Sequence, residues 1–136
     1  MKLIDKVKNI INQHELKPLL LPEGYNNVYC FLKEYPNFKK DFETNKDDFY
    51  LFDKYRSYVP RGWYGFSIGT PIIPIWNEII EQILDLCIEN DPNFEIHQIK
   101  IKFGTICFYC YSEVIEDIFD IEVLIYNTLR DDALIY

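Results

Sequence analysis

Apolar positions along this chain recur with two periods, 3.6 over most of its length and 2 over one stretch near residue 100. Residues 3–16 place Leu3, Ile4, Val7, Ile10, Ile11 and His14 three and four apart, with Asp5, Lys6, Lys8, Asn9 and Asn12 between them. That spacing predicts an amphipathic helix. It should stop before Pro18, because a proline pushes the preceding residue out of helical backbone. His14 then falls at the end of the helix, as a surface or capping residue. Leu19 to Gly24 reads as an apolar connector closed by a turn. Residues 25–34 read as a second helix, with Val28, Tyr29, Phe31 and Leu32 on a wide apolar face and Pro36-Asn37 as its stop. Over 38–59, aromatic residues lie among Lys and Asp. The pattern there leaves Asp48 to Phe52 open between an edge strand and a helical turn.

Gly62, Gly65, Gly69, Pro71 and Pro74 predict an irregular, aromatic-rich loop over 60–74. Pro74 suits the first turn of a following helix, where its missing N–H costs little. That helix is expected over 75–89, with Ile75, Trp76, Ile79, Ile80, Ile83, Leu84 and Cys87 as its buried stripe. Asn77, Glu78, Glu81, Gln82, Asp85 and Glu89 form the wet side. Asn90 to Asn93 stops it. From Phe94 the period becomes 2, so His97, Ile99, Ile101 and Phe103 face one way and Gln98, Lys100 and Lys102 the other. Phe103-Gly104-Thr105 reads as a short turn. Ile106 to Tyr111 reads as a return strand apolar on both faces, which needs cover on both, from its own helices or from a partner. Ser112 is a candidate N-cap for a last helix, with Glu113, Glu116 and Asp117 in its first turn and Val114, Ile118, Ile121, Ile125 and Leu129 as its core stripe. The expected fold is a single α+β domain over 1–136. About four helices pack on a small antiparallel sheet built around a 95–111 hairpin.

Composition adds size and charge to this picture. The chain has 136 residues, 49% of them apolar, enough for one core without disulfide or metal staples. Aromatic residues reach 17%, more than one small core needs, and buried aromatic anchors are common at interfaces. The net charge is −8, and it is lopsided: residues 1–74 carry 11 basic and 9 acidic side chains, residues 75–136 carry 3 and 13. Such a half repels phosphate backbones, which argues against nucleic acid. It suits a basic protein partner, since opposite potentials speed encounter. It also reads simply as a solvated acidic surface. The N-terminal residues show no signal-peptide pattern, and no run approaches the roughly 20 apolar residues of a membrane span. The expected compartment is the cytoplasm, with the four cysteines reduced.

Candidate chemistry is sparse. Cys107-Phe108-Tyr109-Cys110 has the C-x-x-C spacing, but in a strand positions three apart face opposite sides, and no second pair exists to complete a zinc site. Both sulfurs read more simply as small buried hydrophobes. His97 has Glu95 nearby, and Cys107 or Tyr109 is expected across the hairpin. A Cys–His nucleophile pair is conceivable, beside the plainer reading of a half-buried sheet histidine. Glu78, Glu81, Asp85 and Glu89 share one helix face opposite the apolar stripe. They read as a solvated face or an acidic patch for a basic partner rather than a metal site. Trp63, Tyr64 and Phe66, in a glycine-bearing loop, are candidate anchors for a partner or a cap on the core over Trp76. No cofactor or metal is expected.

Gly62-Trp63, the acidic Ile-rich helix and the stretch from His97 to Tyr109 together resemble a widespread group of small bacterial and phage proteins. The hallmark of that group is a Gly-Trp followed by a segment like Val-Gln-Val-Lys-Glu-Lys-Phe-Gly-Gly-Leu-Arg-Phe-Tyr. Gln98, Lys100, Lys102, Phe103, Gly104, Phe108 and Tyr109 match it. Ile101, Thr105 and Cys107 stand where the group has an acidic residue, its second glycine and an arginine. The resemblance covers about residues 61–111. In size, charge and style the chain is also similar to immunity proteins of secreted bacterial toxins, including contact-dependent growth inhibition systems. The likeness implies a protein without catalysis that neutralises a cognate basic toxin domain, such as a nuclease, by direct binding. The expected partner-binding residues are Trp63, Tyr64, Glu78, Glu81, Asp85, Glu89, Glu116, Asp117 and Asp120. Two alternatives stay open: a phage or mobile-element protein that binds another host protein, and a small enzyme using His97 or Cys107 and Cys110.

Overall fold

The structure, a computed structural model, describes residues 2–14, 50–66, 74–102 and 105–129. The expected helix over 25–34, the stretch 38–49, Cys30 and the turn at 103–104 lie outside the described residues. So do the side chains of Ile75, Trp76 and Asn77. The fold is α+β. Among the described residues it has four α-helices and a three-stranded mixed sheet.

The hairpin forms as the alternation demands. Strands β2 (Glu95–Lys102) and β3 (Thr105–Tyr111) pair antiparallel, from Glu95 opposite Tyr111 to Lys102 opposite Thr105. One face carries Ile96, Ile99, Ile106, Phe108 and Cys110, and all five join the main core cluster. The longest helix, α3 (Pro74–Asn90), sends Ile79, Ile80, Ile83, Leu84 and Cys87 into that same cluster. All five are fully buried. Each such side chain contributes on the order of 1.5–3 kcal/mol over leaving it in water.

Two expectations about the strands are corrected. The register slips between Ile96 and Gln98, so His97 occupies a β-bulge and does not share a face with Ile99. A bulge inserts one extra residue and changes which way the flanking side chains point. The sheet is also mixed, not antiparallel throughout. Within the stretch expected to be an irregular loop, Gly65–Phe66 forms a short strand, β1, parallel to β2, with Gly65 beside Gln98 and Phe66 beside Ile99. Parallel neighbours need a long crossover, and α3 supplies it.

Around this unit the other helices are fastened by named contacts. Helix α1 (Leu3–Gln13) buries Val7 and Ile11. It ends at His14, whose Nε2 lies 2.8 Å from the Gln82 side-chain oxygen on α3. Helix α2 (Tyr50–Lys54) resolves the open choice over 48–52 in favour of a helical turn for its described residues, and a 3-10 turn, Arg56–Tyr58, follows it. Helix α4 (Ile118–Thr128) starts later than expected. Ser112 does accept the N–H groups of Val114 and Ile115 and donates to the buried Asp91, but it closes a turn and caps no helix. Val114, expected in the core stripe, is 63% exposed, and Ile115 is buried in its place. Ile121, Ile125 and Leu129 are buried as expected.

Helix α4 also covers the free edge of β3. The Ile106 N–H donates to the Leu129 carbonyl at 3.1 Å, and the Cys110 N–H donates to Glu122 Oε1 at 3.3 Å. An edge strand with unpaired N–H groups invites pairing with another chain, and α4 removes that template. Among the described residues, no helix is long and apolar enough to cross a membrane.

Gly65 gives a direct test of this arrangement. Its φ is +66°, and a Cβ there would stand 2.8 Å from Val59 Cγ2. Gly65→Ala is expected to destabilise the fold by about 1–2 kcal/mol from the left-handed backbone alone, with the clash in addition. Val59→Ala in the same chain should recover only the part due to the clash. Urea denaturation of the single and double variants measures both, and an undiminished Gly65→Ala midpoint would refute the assignment.

Candidate functional site

Two glycines aim Trp63. The Trp63 N–H donates to the Pro60 carbonyl at 3.1 Å, closing a turn whose third residue, Gly62, has φ +94°. A turn with positive φ at that position favours glycine. Two residues beyond Trp63, Gly65 enters the sheet beside Gln98. Trp63 is thereby laid over His97, with ring centroids 4.1 Å apart and planes 3° from parallel. On to Tyr111 the centroid distance from His97 is 6.0 Å and the planes differ by 9°. Trp63, His97 and Tyr111 thus form a ladder of near-parallel rings on the sheet face opposite the core.

The rest of that face is polar and aromatic. Tyr109 and Tyr111 are exposed, and the Lys100 ammonium lies 5.9 Å from the centre of the Tyr109 ring. At the other end, Glu95 Oε1 lies 3.6 Å from His97 Nε2, and the Tyr111 hydroxyl donates to Glu113 at 3.3 Å. The Glu113 carboxylate holds the Tyr111 phenol above its ordinary pKa. The neighbouring Cys107, and then the carboxylate of Glu122, hold the Tyr109 phenol above its ordinary value. The strand expected to need cover on both faces is therefore covered fully on one. On the other, Thr105 and Cys107 are buried, the Thr105 hydroxyl donating to the Tyr126 carbonyl at the end of α4, while Tyr109 and Tyr111 stay open.

The nine sequence-predicted binding residues are divided by the structure. Trp63 is 52% exposed and Tyr64 75%, so neither is a lid closed over the core, whereas Phe66, expected with them as an exposed anchor, is buried in the core beside Tyr55. Glu78 and Glu89 are exposed on α3 as expected. Asp85 is exposed beside them and Glu81 is half-buried, and both are engaged within the fold. Lys54 pairs with Glu81 at 3.4 Å and with Asp85 at 3.2 Å, and the Tyr55 hydroxyl donates to Asp85. The reason is tertiary: the end of α2 brings Lys54 and Tyr55 against that side of α3. Burial pulls the Lys54 ammonium down, but hydrogen bonding and charge from Asp85 and Glu81 together hold it above its ordinary value. Burial, then Asp85, pushes the Tyr55 phenol far up. Asp117 is also engaged, accepting the Ile4 N–H at 2.9 Å in the first turn of α1, where a carboxylate meets the positive helix end. Glu116 and Asp120 line a groove beside it with Lys2 and Val114.

The catalytic alternative finds little chemistry here. Gln98 stands opposite Tyr109 and Lys100 opposite Cys107, so the bulge takes His97 out of cross-strand register with both. Burial pushes the Cys87 thiol up to about 12 and the Cys110 thiol well up, against the opposing pull of the His97 N–H. A nucleophilic cysteine needs the reverse shift. Among the described residues, no group of three or more His, Cys, Asp or Glu side chains is placed to hold a metal ion.

Sequence reasoning did not pick out Tyr109 and Tyr111 as site residues, although their alternation with Phe108 and Cys110 was a usable signal. It also passed over Phe119, Val123 and Tyr126, which are exposed on one side of α4 at helical spacing. The ladder itself had no local signal, because it joins residues 34 positions apart through the parallel pairing of β1 with β2.

The described residues therefore present an open aromatic sheet face carrying Trp63, Tyr109 and Tyr111. No family model matches the chain, and comparison with curated proteins and with solved structures finds no match.

Glu122 reports on this face through pH. Its half-buried carboxyl is raised by desolvation, against the opposing effects of the Cys110 N–H and His97. A folded carboxyl with a raised pKa favours folding fully below its unfolded value, and the benefit is lost as pH rises through the folded value. Glu122→Gln keeps an acceptor for the Cys110 N–H and removes the charge. Its melting temperature should therefore exceed that of the unmodified chain at pH 7, and the gain should vanish near pH 4. Thermal denaturation across that range checks the sign, and a loss at pH 7 would contradict it.

Proposed function

We propose that this chain is a binding protein without catalysis that neutralises a cognate basic toxin domain by covering its working surface. One observation carries the reading: three large aromatic side chains, Trp63, Tyr109 and Tyr111, stay exposed on one sheet face of a chain with net charge −8. Exposed rings of this kind cost solubility unless a partner uses them. Trp and Tyr are the side chains most often found at interface hot spots, and the acidic balance raises the encounter rate with a cationic partner. The likeness of the chain in size, charge and style to immunity proteins supports the same reading. A bacterial cytoplasmic setting follows from it.

Growth rescue is the test. Cells expressing the toxin domain encoded beside this chain should grow when the chain is co-expressed. Trp63→Ala combined with Tyr111→Ala should weaken the complex by about 30-fold or more, as loss of hot-spot side chains does, and rescue should fail. Circular dichroism of the variant confirms that it still folds. Absence of rescue by the unmodified chain would overturn the proposal.

A further inference from the structure

The open sheet face is not uniform, and its two ends differ in charge. Lys100 and Lys102 stand toward the hairpin turn. The other end holds the ring ladder, with Glu95 beside His97 and Glu113 beside Tyr111. There a cavity of about 290 Å³ opens between Tyr111, Glu95, Glu113, Asp91, Asn93 and Val114. It is large enough for several water molecules at about 30 Å³ each. Asp91 is buried and satisfied by the Asn93 N–H and the Ser112 hydroxyl, so it shapes the floor. Glu95 and Glu113 form the accessible acidic rim.

We propose that this end of the sheet is a docking surface for an arginine side chain presented by a protein partner. The guanidinium would stack on the ladder at Tyr111 and pair with the carboxylates of Glu95 and Glu113. Three features favour a cationic side chain here, and the first singles out arginine. Its flat cation stacks on aromatic faces and forks to carboxylates, which an ammonium does only as a point charge. The rings are already near-parallel, so the partner does not have to order them. The face also holds one cation on a ring within the chain, Lys100 over Tyr109. The raised Tyr111 phenol is consistent with a negative local potential. The inference rests on the protein-binding reading above. It moves the centre of the interface away from the acidic side of α3, where Glu81 and Asp85 are already held by Lys54 and Tyr55.

The experiment titrates the full chain with an acetylated Gly/Arg pentapeptide amide and, in parallel, with its Gly/Lys counterpart, following Trp63 indole and backbone amide shifts by NMR. The arginine peptide should move the signals of Trp63, residues 95–98 and residues 111–113. It should bind about threefold or more tightly than the lysine peptide, the size of one exposed cation–π contact. Glu95→Gln with Glu113→Gln should weaken it by a similar factor, and Tyr111→Leu should abolish the preference for arginine. Asp53→Asn, an exposed carboxylate of α2 outside both surfaces, should change nothing. Equal binding of both peptides, or shifts confined to α3, would overturn the inference. Growth rescue by a chain carrying Glu95→Gln, Glu113→Gln and Tyr111→Leu would also overturn it while leaving the toxin-binding reading intact. Arginine selectivity at this face without growth rescue by the unmodified chain would uphold the docking surface and sink the toxin reading alone.

Discussion

Everything described here depends on burying one face of the hairpin. Ile96, Ile99, Ile106, Phe108 and Cys110 have to leave water together, and the apolar stripe of α3 is what they meet. Once α3 lies across that face, the chain ahead of it arrives where Gly65 and Phe66 can pair only parallel to β2. The edge of β3 is left over, and α4 closes it through Leu129 and Glu122. The remaining sheet face then has Thr105 and Cys107 tucked in near the end of α4 and Tyr109 and Tyr111 in the open. The openness of the aromatic face follows from the packing of the opposite one.

Charge is spent unevenly across this frame. Desolvation dominates where a group is enclosed and poorly paired, as at Glu122, Cys87 and Cys110, and it pushes all three toward their neutral forms. Pairing dominates at Lys54, where two carboxylates outweigh the effect of burial. Exposed ion pairs of this sort contribute at most about 1 kcal/mol. Their consequence for the proposed binding role is therefore less about stability than about availability. Glu81, Asp85 and Asp117 are engaged by other elements of the fold, Glu95 and Glu113 only by their neighbours His97 and Tyr111 on the open face, and Glu78 and Glu89 face solvent.

The Trp63, His97 and Tyr111 ladder joins the two themes. Each of its members comes from a different backbone device: a glycine turn, a β-bulge and the alternation of a regular strand. A bulge commonly re-aims a side chain at the rim of a sheet, and here it turns an imidazole out of the expected core face and under an indole. A stacked, partly exposed ladder loses little entropy on meeting a partner, which makes it a better anchor than the solitary, more exposed Tyr64.

Much of this was legible in the residues. The period of 3.6 over Ile79 to Cys87, the period of 2 over Ile99 to Lys102 and the apolar run from Ile106 to Tyr111 identified the helix, the hairpin and most of the core, because burial periodicity is a local property of backbone geometry. The α+β class followed from those elements. Gly62 and Gly65 signalled unusual backbone at the right positions. By itself, however, the pattern could not reveal the bulge at His97, which shifts the phase by one residue and leaves the composition of the strand unchanged. Nor could it show that β1 joins the sheet in parallel, that Ile115 replaces Val114 in the core, or that Lys54 and Tyr55 occupy Glu81 and Asp85. These are contacts between segments far apart in the chain. They were decided only when the hairpin and α3 closed on each other, since side-chain periodicity records which face is wet and carries no information about which distant residue will cover it.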